Sequence, residues 1–157
     1  SRDCSPNKRF LILARATGNP SFAKALKLFI HQTELEILSV SGDSGLIVRV
    51  DGSKVEATSE RPYSHTDHDV ELFEVRTQDK WFEVVSKPYG IYITFNGNLL
   101  FVQAAHFYRG KLCGLCGDYN LDRNHELSGP DGHHYNSSLE FAKSYVVTSP
   151  DCHAPAH

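Results

Sequence analysis

The sequence has no methionine, one tryptophan and four cysteines in 157 residues. Four cysteines are too few for a disulfide-dense mini-scaffold, and a chain of this length buries a real core without needing such staples. There is no excess of positive charge: 16 basic residues stand against 19 acidic ones, for a net charge of −3. The electrostatic footprint of a nucleic-acid or anionic-lipid partner is therefore missing. No apolar run approaches the ~20 residues of a membrane-spanning helix. No GxSxG nucleophile elbow occurs, no second CxxC accompanies the one present, and neither an internal repeat nor a low-complexity stretch breaks the chain. With no initiator methionine and no secretory leader, the chain reads as a mature product, a proteolytic fragment or an excised piece.

What is present is mostly alternation. Arg9 to Arg15, Leu35 to Val40, Leu46 to Val50, Val70 to Arg76, Trp81 to Ser86, Ile91 to Phe95 and Leu99 to Gln103 are short and apolar. They are rich in β-branched and aromatic residues at period two, the pattern of half-buried strands. Asp51-Gly52 and Asn96-Gly97-Asn98 sit between such runs, and Asn, Asp and Gly tolerate the positive φ of hairpin turns. Phe22 to Gln32 fits both a helical stripe and a strand, and the strand is preferred. Thr58 to Asp69, polar and containing Pro62, reads as a surface loop. One helix is expected near Ser137, where Ser137 and Glu140 have capping-box spacing ahead of Leu139, Phe141, Ala142 and Tyr145. These elements predict a mainly β fold: an antiparallel two-sheet β-sandwich with a short C-terminal helix.

The chemistry concentrates in Cys113-Gly-Leu-Cys-Gly-Asp-Tyr-Asn120 and its continuation to Glu126. Asp118, Asn120, Asp122, Asn124 and Glu126 fall on every second residue, a spacing that gathers hard oxygen donors around a calcium ion. The run reads as a cysteine-pinned calcium-type loop, against the simpler reading of a polar turn built from Asp, Asn and Gly. A redox CxxC normally opens a helix in a βαβ setting, whereas Gly114 and Gly117 lead this one into a polar loop. Cys4, Cys113, Cys116 and Cys152 allow three pairings that the sequence alone does not choose among. Together with the sequon at Asn136, they point to the secretory route and an extracellular, secreted glycoprotein.

CGLCGDYN at 113 to 120, the oxygen ladder after it, the strand pair from Val85 to Gly97 and the Phe141-Ala-Lys-Ser-Tyr145 ending resemble the von Willebrand factor type D domain. The resemblance covers nearly the whole chain, 1–157, as a single domain. It is most similar to the C-terminal type D domain of vitellogenins and apolipophorins, which are large lipid transfer proteins. The family usually opens with a strand bearing a Gly-Asp-Pro-His-like segment, and that opening precedes the first residue here. Leu121 also stands where the family usually has Gly. For metal binding the resemblance implies Ca²⁺ on Asp118, Asn120, Asn124 and Glu126, with Asp122 as a further ligand. It implies a Cys4–Cys152 disulfide, a closure of nearly the whole chain worth up to about 5 kcal/mol. Cys113 and Cys116 then bond each other, bond another chain or stay reduced, the local bridge being favoured.

Nine histidines raise the question of catalysis. His65 and His68 in HTDH, His106, His125, His133, His134, His153 and His157 are not arranged with a nucleophile and a carboxylate in any catalytic pattern. Solvated surface histidine is the plainer reading of those in polar loops. Asp67 and Asp69 beside His65 and His68 form at most an adventitious metal patch, and Glu34 and Glu36 read as the wet face of a strand. The resemblance implies a non-catalytic secreted module of a vitellogenin- or apolipophorin-like lipoprotein for lipid, yolk or pigment transport. Its partners would be the remaining domains or chains of that lipoprotein, with lipid or receptor contact, and lipid or carotenoid as the only organic ligands implied. The alternatives are a type D assembly domain of a mucin-like or clotting polymer, or an accessory domain of a secreted enzyme such as a luciferase.

Overall fold

A computed structural model describes residues 2–3, 9–16, 23–39, 46–113 and 127–146. In chain order the strands are β1 (Arg2–Asp3), β2 (Phe10–Ala16), β3 (Ala23–Ile30), β4 (Thr33–Ser39), β5 (Leu46–Val50) and β6 (Ser53–Val55). There follow β7 (Tyr63–Asp67), β8 (Val70–Gln78), β9 (Trp81–Ser86), β10 (Ile91–Phe95), β11 (Leu100–Ala104) and β12 (Leu112–Cys113). One α-helix, α1 (Ser138–Ser144), comes last. Two compact units emerge: Ile12–Ala105, and Ser1–Leu11 together with His106–His157.

The Ile12–Ala105 unit is the β-sandwich that the alternation predicts. One sheet runs in the order β2-β3-β4-β5-β6 and the other in the order β11-β10-β9-β8-β7. Within the ambiguous stretch Phe22 to Gln32, Ala23–Ile30 is strand, as β3 pairs antiparallel with β4 from Ala25↔Leu38 to Ile30↔Thr33. Propensity alone favours helix there. Burying Leu26, Leu28 and Ile30, each at 0% exposure, decides the matter, because context overrides a weak local preference.

The buried positions are those that alternation selects. Leu35 and Ile37 of β4, Val48 and Val50 of β5, Phe73 and Val75 of β8, Phe82 and Val84 of β9, and Ile91, Ile93 and Phe95 of β10 are all buried. Each such side chain stabilises the fold by roughly 1.5–3 kcal/mol relative to exposure. The intervening residues of the first sheet form a charge ladder: Lys27 lies 3.2 Å from Glu34 and 3.5 Å from Glu36, and Arg49 lies 3.6 Å from Glu36. The hydrogen bond to Glu34 raises the Lys27 pKa. Exposed pairs of this kind add little stability, so the ladder is a consequence of register more than its cause.

The tight turns fix that register. Asp51 and Gly52 take φ of +49° and +84°, the pair of positive values that a two-residue hairpin matching strand twist requires. At the β10–β11 hairpin, Asn96 Oδ1 accepts the N–H groups of Asn98 at 2.9 Å and Leu99 at 2.7 Å. The expectation of a surface loop over Thr58 to Asp69 is corrected. Tyr63–Asp67 is strand β7, paired with β8 from Tyr63↔Val75 to Asp67↔Val70, with a bulge between His65 and Thr66. Its polar composition hid it, because its half-buried positions are Tyr63, His65 and Asp67, none of them aliphatic.

Ile93 is 0% exposed at the centre of β10, whereas Thr94 beside it faces outward. Ile93→Ala is expected to cost about 2–5 kcal/mol and Thr94→Ala well under half of that. Urea unfolding of the two variants checks the assignment of inner and outer faces.

Candidate functional site

The unit of Ser1–Leu11 and His106–His157 carries the cysteine-bearing turn. Its approach is built on an aromatic anchor. Tyr108 is 1% exposed, meets Phe10 edge-on at 5.2 Å and lies 4.3 Å from Phe107. The Arg9 guanidinium sits 5.4 Å from the Phe107 ring centroid, a cation–π contact. Hydrogen bonds from Arg109 N–H to the His106 carbonyl (3.0 Å) and from Lys111 N–H to the Tyr108 carbonyl (2.8 Å) turn the chain into β12. There β1 and β12 pair as Arg2↔Cys113 and Asp3↔Leu112, and Arg2 also pairs with Leu11. Cys113 is half-buried and disulfide-bonded. Its partner, and the other site residues read from the sequence, namely Cys4, Cys116, Asp118, Asn120, Asp122, Asn124, Glu126 and Cys152, lie outside the described residues.

Beyond the oxygen ladder, Leu127 to Tyr135 forms a tight hairpin-like turn. Tyr135 N–H donates to the Leu127 carbonyl at 3.0 Å, Gly129 N–H to the His133 carbonyl at 2.8 Å, and His133 N–H to Asp131 Oδ1 at 3.0 Å. Gly129 is buried, and a Cβ there would come within 2.6 Å of the Tyr135 ring, so close packing demands glycine at this position. Helix α1 braces the turn: the Tyr145 hydroxyl donates to the Ser128 carbonyl at 2.8 Å. The helix starts where the sequence places it, with Ser137 as N-cap, but the Ser137 side chain makes no capping hydrogen bond. The capping box is thus not formed. Asn136 is exposed one residue before that N-cap, open to solvent as a glycosylation acceptor must be.

His65 departs from its expected surface position. It is half-buried in the sandwich unit, with Nδ1 3.1 Å from the Tyr63 hydroxyl and Nε2 3.3 Å from Thr33 Oγ1. Its ring stacks on Phe73 at 5.2 Å. A neutral imidazole offers one donor and one acceptor, and two rotatable hydroxyls satisfy either tautomer. His68 instead stays at the surface, 2.7 Å from Asp67. The suggested patch of His65, His68, Asp67 and Asp69 therefore does not assemble. Among the described residues no group of three or more His, Cys, Asp or Glu side chains is placed to hold a metal. Period two in Tyr63-Ser-His-Thr-Asp67 is the signal that pointed inward, and its polar content masked it.

Residues 1–133 match the von Willebrand factor type D domain. The chain belongs to that family. The match runs from β1 through the cysteine-bearing turn to the Leu127–Tyr135 turn. Similarity to known proteins extends further: the chain is 24% identical over 152 residues to vitellogenin-2 of Gallus gallus, covering 96% of this chain and 8% of that protein. It is 24% identical over 152 residues to vitellogenin-6 of Oscheius tipulae, covering 97% of this chain and 8% of the other. With vitellogenin-1 of Solenopsis invicta it shares 26% identity over 148 residues, 94% of this chain and 8% of the relative. The chain thus spans less than a tenth of the length of these relatives. No helix among the described residues is long and apolar enough to cross a membrane.

Two outcomes test how this type D domain is held together. Tyr145→Phe removes the brace on Ser128 and is expected to cost about 0.5–1.5 kcal/mol, read as a lower urea midpoint. Tyr63 has its pKa raised above the ordinary 10, first by burial and then by the Asp51 charge. Because the folded state disfavours the phenolate, stability is full below about pH 10 and falls as pH rises through the folded pKa. Tyr63→Phe should flatten that alkaline decline in a urea titration across pH 9 to 11.

Proposed function

We propose that this chain is a secreted, non-catalytic structural and interaction module of a vitellogenin-like lipoprotein that carries or stores lipid. The observation that carries this reading is similarity to vitellogenins along almost the full chain, 96% of it for the Gallus gallus protein. Since the chain spans 8% of that relative's length, lipid carriage belongs to the larger protein, and this module contributes packing surface to it. An antibody against this chain should capture, from extracellular fluid or eggs, a polypeptide many times its mass with bound phospholipid and neutral lipid. Capture of a lipid-free species from those sources would refute the reading.

Within the module, Asp118, Asn120, Asp122, Asn124 and Glu126 form the Ca²⁺ site. All five offer hard oxygen donors, and carboxylate and amide oxygens at this density suit calcium better than zinc or copper. A bound ion would offset two of the three carboxylate charges and tie the segment after Cys116 to itself. The four cysteines form disulfides, Cys4 with Cys152 and Cys113 with Cys116, and Asn136 carries an N-glycan.

Calcium binding to the native state alone must raise the melting temperature. At 100 times the dissociation constant the gain is about 2.7 kcal/mol. A titration to millimolar calcium should raise the melting temperature of the native chain, and Asp118→Asn with Glu126→Gln should abolish the rise. No shift in the disulfide-bonded chain would remove calcium from the proposal.

A further inference from the structure

The two sheets of the sandwich unit end in strands of very different character. β6 is three residues long and carries exposed Lys54. β7 contains a bulge between His65 and Thr66, follows Pro62 and runs into Asp67, His68 and Asp69. Short length, bulges, proline and charge are the devices by which proteins stop edge strands from pairing with other chains. β11 has none of them. From Asn96 to Ala105 there is no charged residue and no proline. Its register with β10 is unbroken from Ile91↔Ala104 to Phe95↔Leu100. Among the described residues it pairs only with β10.

The hydrogen bonds show which backbone groups of β11 remain for a partner. Asn96 N–H donates to the Leu99 carbonyl at 3.2 Å and Ala105 N–H to the Gly90 carbonyl at 2.8 Å. In an antiparallel ladder such bonded pairs alternate with unbonded ones, so Leu99, Phe101, Gln103 and Ala105 direct their N–H and C=O groups to β10. Leu100, Val102 and Ala104 direct theirs away from it, to the open edge. The side chains alternate too. Leu100, Val102 and Ala104 are half-buried on the core side, while Phe101 is 57% exposed on the outer face, 6.0 Å from Trp81. Leu99 adds a further 44% exposed apolar side chain.

We propose that β11 is a self-pairing edge, by which two copies of this chain join their sheets through antiparallel Leu100–Ala104 strands about a twofold axis at Val102. An isologous contact sets a strand against its own sequence, which a charged edge cannot do without self-repulsion. β11 satisfies that condition and is complementary to itself in size. Leu100 meets the partner's Ala104, Val102 meets the partner's Val102, and Phe101 meets the partner's Gln103. The three outward-directed residues of each copy form bonded pairs with the other, so the edge's backbone groups are satisfied while Phe101 and Leu99 lose water contact. Five residues a side make less than a standard interface, and the association is accordingly weak and concentration-dependent.

Sedimentation velocity of the intact chain, from micromolar to near-millimolar concentration, tests this. The mass should climb toward twice the monomer's. Phe101→Lys/Gln103→Lys sets lysine opposite lysine across the axis, and Phe101→Glu/Gln103→Glu sets glutamate opposite glutamate. Both alter only exposed outer-face positions, and an unchanged melting temperature verifies the fold. Each variant alone should stay monomeric, with association weakened tenfold or more, and an equimolar mixture of the two should dimerise again. A chain that is monomeric throughout the range overturns the proposal. So does a dimer that persists in both charged variants, one that is lost on reduction, or a mixture that fails to restore association.

Discussion

Everything in the sandwich unit depends on one constraint: each strand must pair its backbone with its sheet neighbours while sending alternate side chains into a dry interior. Leu26, Leu28 and Ile30 on β3, set against Leu35 and Ile37 on β4, satisfy it in one register only. A slip of one residue would bring Lys27, Phe29, Glu34 and Glu36 inward and turn the aliphatic set to water. The two-residue turns at Asp51-Gly52 and His68-Asp69, all at positive φ, hold neighbouring strands to that register. The charged ladder of Lys27, Glu36 and Arg49 then follows, since the same alternation stacks those side chains on the outer face.

Polar groups enter this interior only with partners. The Ser86 hydroxyl, 1% exposed, donates to the Leu72 carbonyl at 2.6 Å, and Thr33 and Tyr63 flank His65 at hydrogen-bonding distance. A buried hydroxyl or imidazole without such a partner would cost about 1–3 kcal/mol. The unit around the cysteine-bearing turn uses a different means. Among its described residues the strands are short, and the chain is fixed by a buried tyrosine, Tyr108, before residues 114–126 and by the Tyr145 hydroxyl on Ser128 after them. The two anchors bracket a segment of the sequence, residues 114–126, that is rich in Gly, Asp and Asn.

This type D domain spans 8% of the length of its vitellogenin relatives. Three of the edge strands of the sandwich unit, β6, β7 and β11, differ in how they are protected. Two are closed by shortness, a bulge and charge, and one is left uncharged and regular.

The sequence by itself determined the strand content, the two Asx and Gly hairpins, the start of the C-terminal helix and the family, because each is written in local spacing or in a contiguous motif. CGLCGDYN needs no fold to be read, and alternation in IYITF or WFEVVS needs only neighbours. Only the tertiary structure decided that Ala23 to Ile30 is extended, that Tyr63 to Asp67 is a strand with His65 turned inward, and that Ser137 starts a helix without capping it. For β3 the deciding partners are Leu35 and Ile37 of the paired strand; for His65 they are Phe73 of the paired strand and Thr33 of the other sheet, 32 residues away. Local propensity is worth tenths of a kcal/mol per residue. Burial against a distant partner is worth several times more, and no window of sequence contains it.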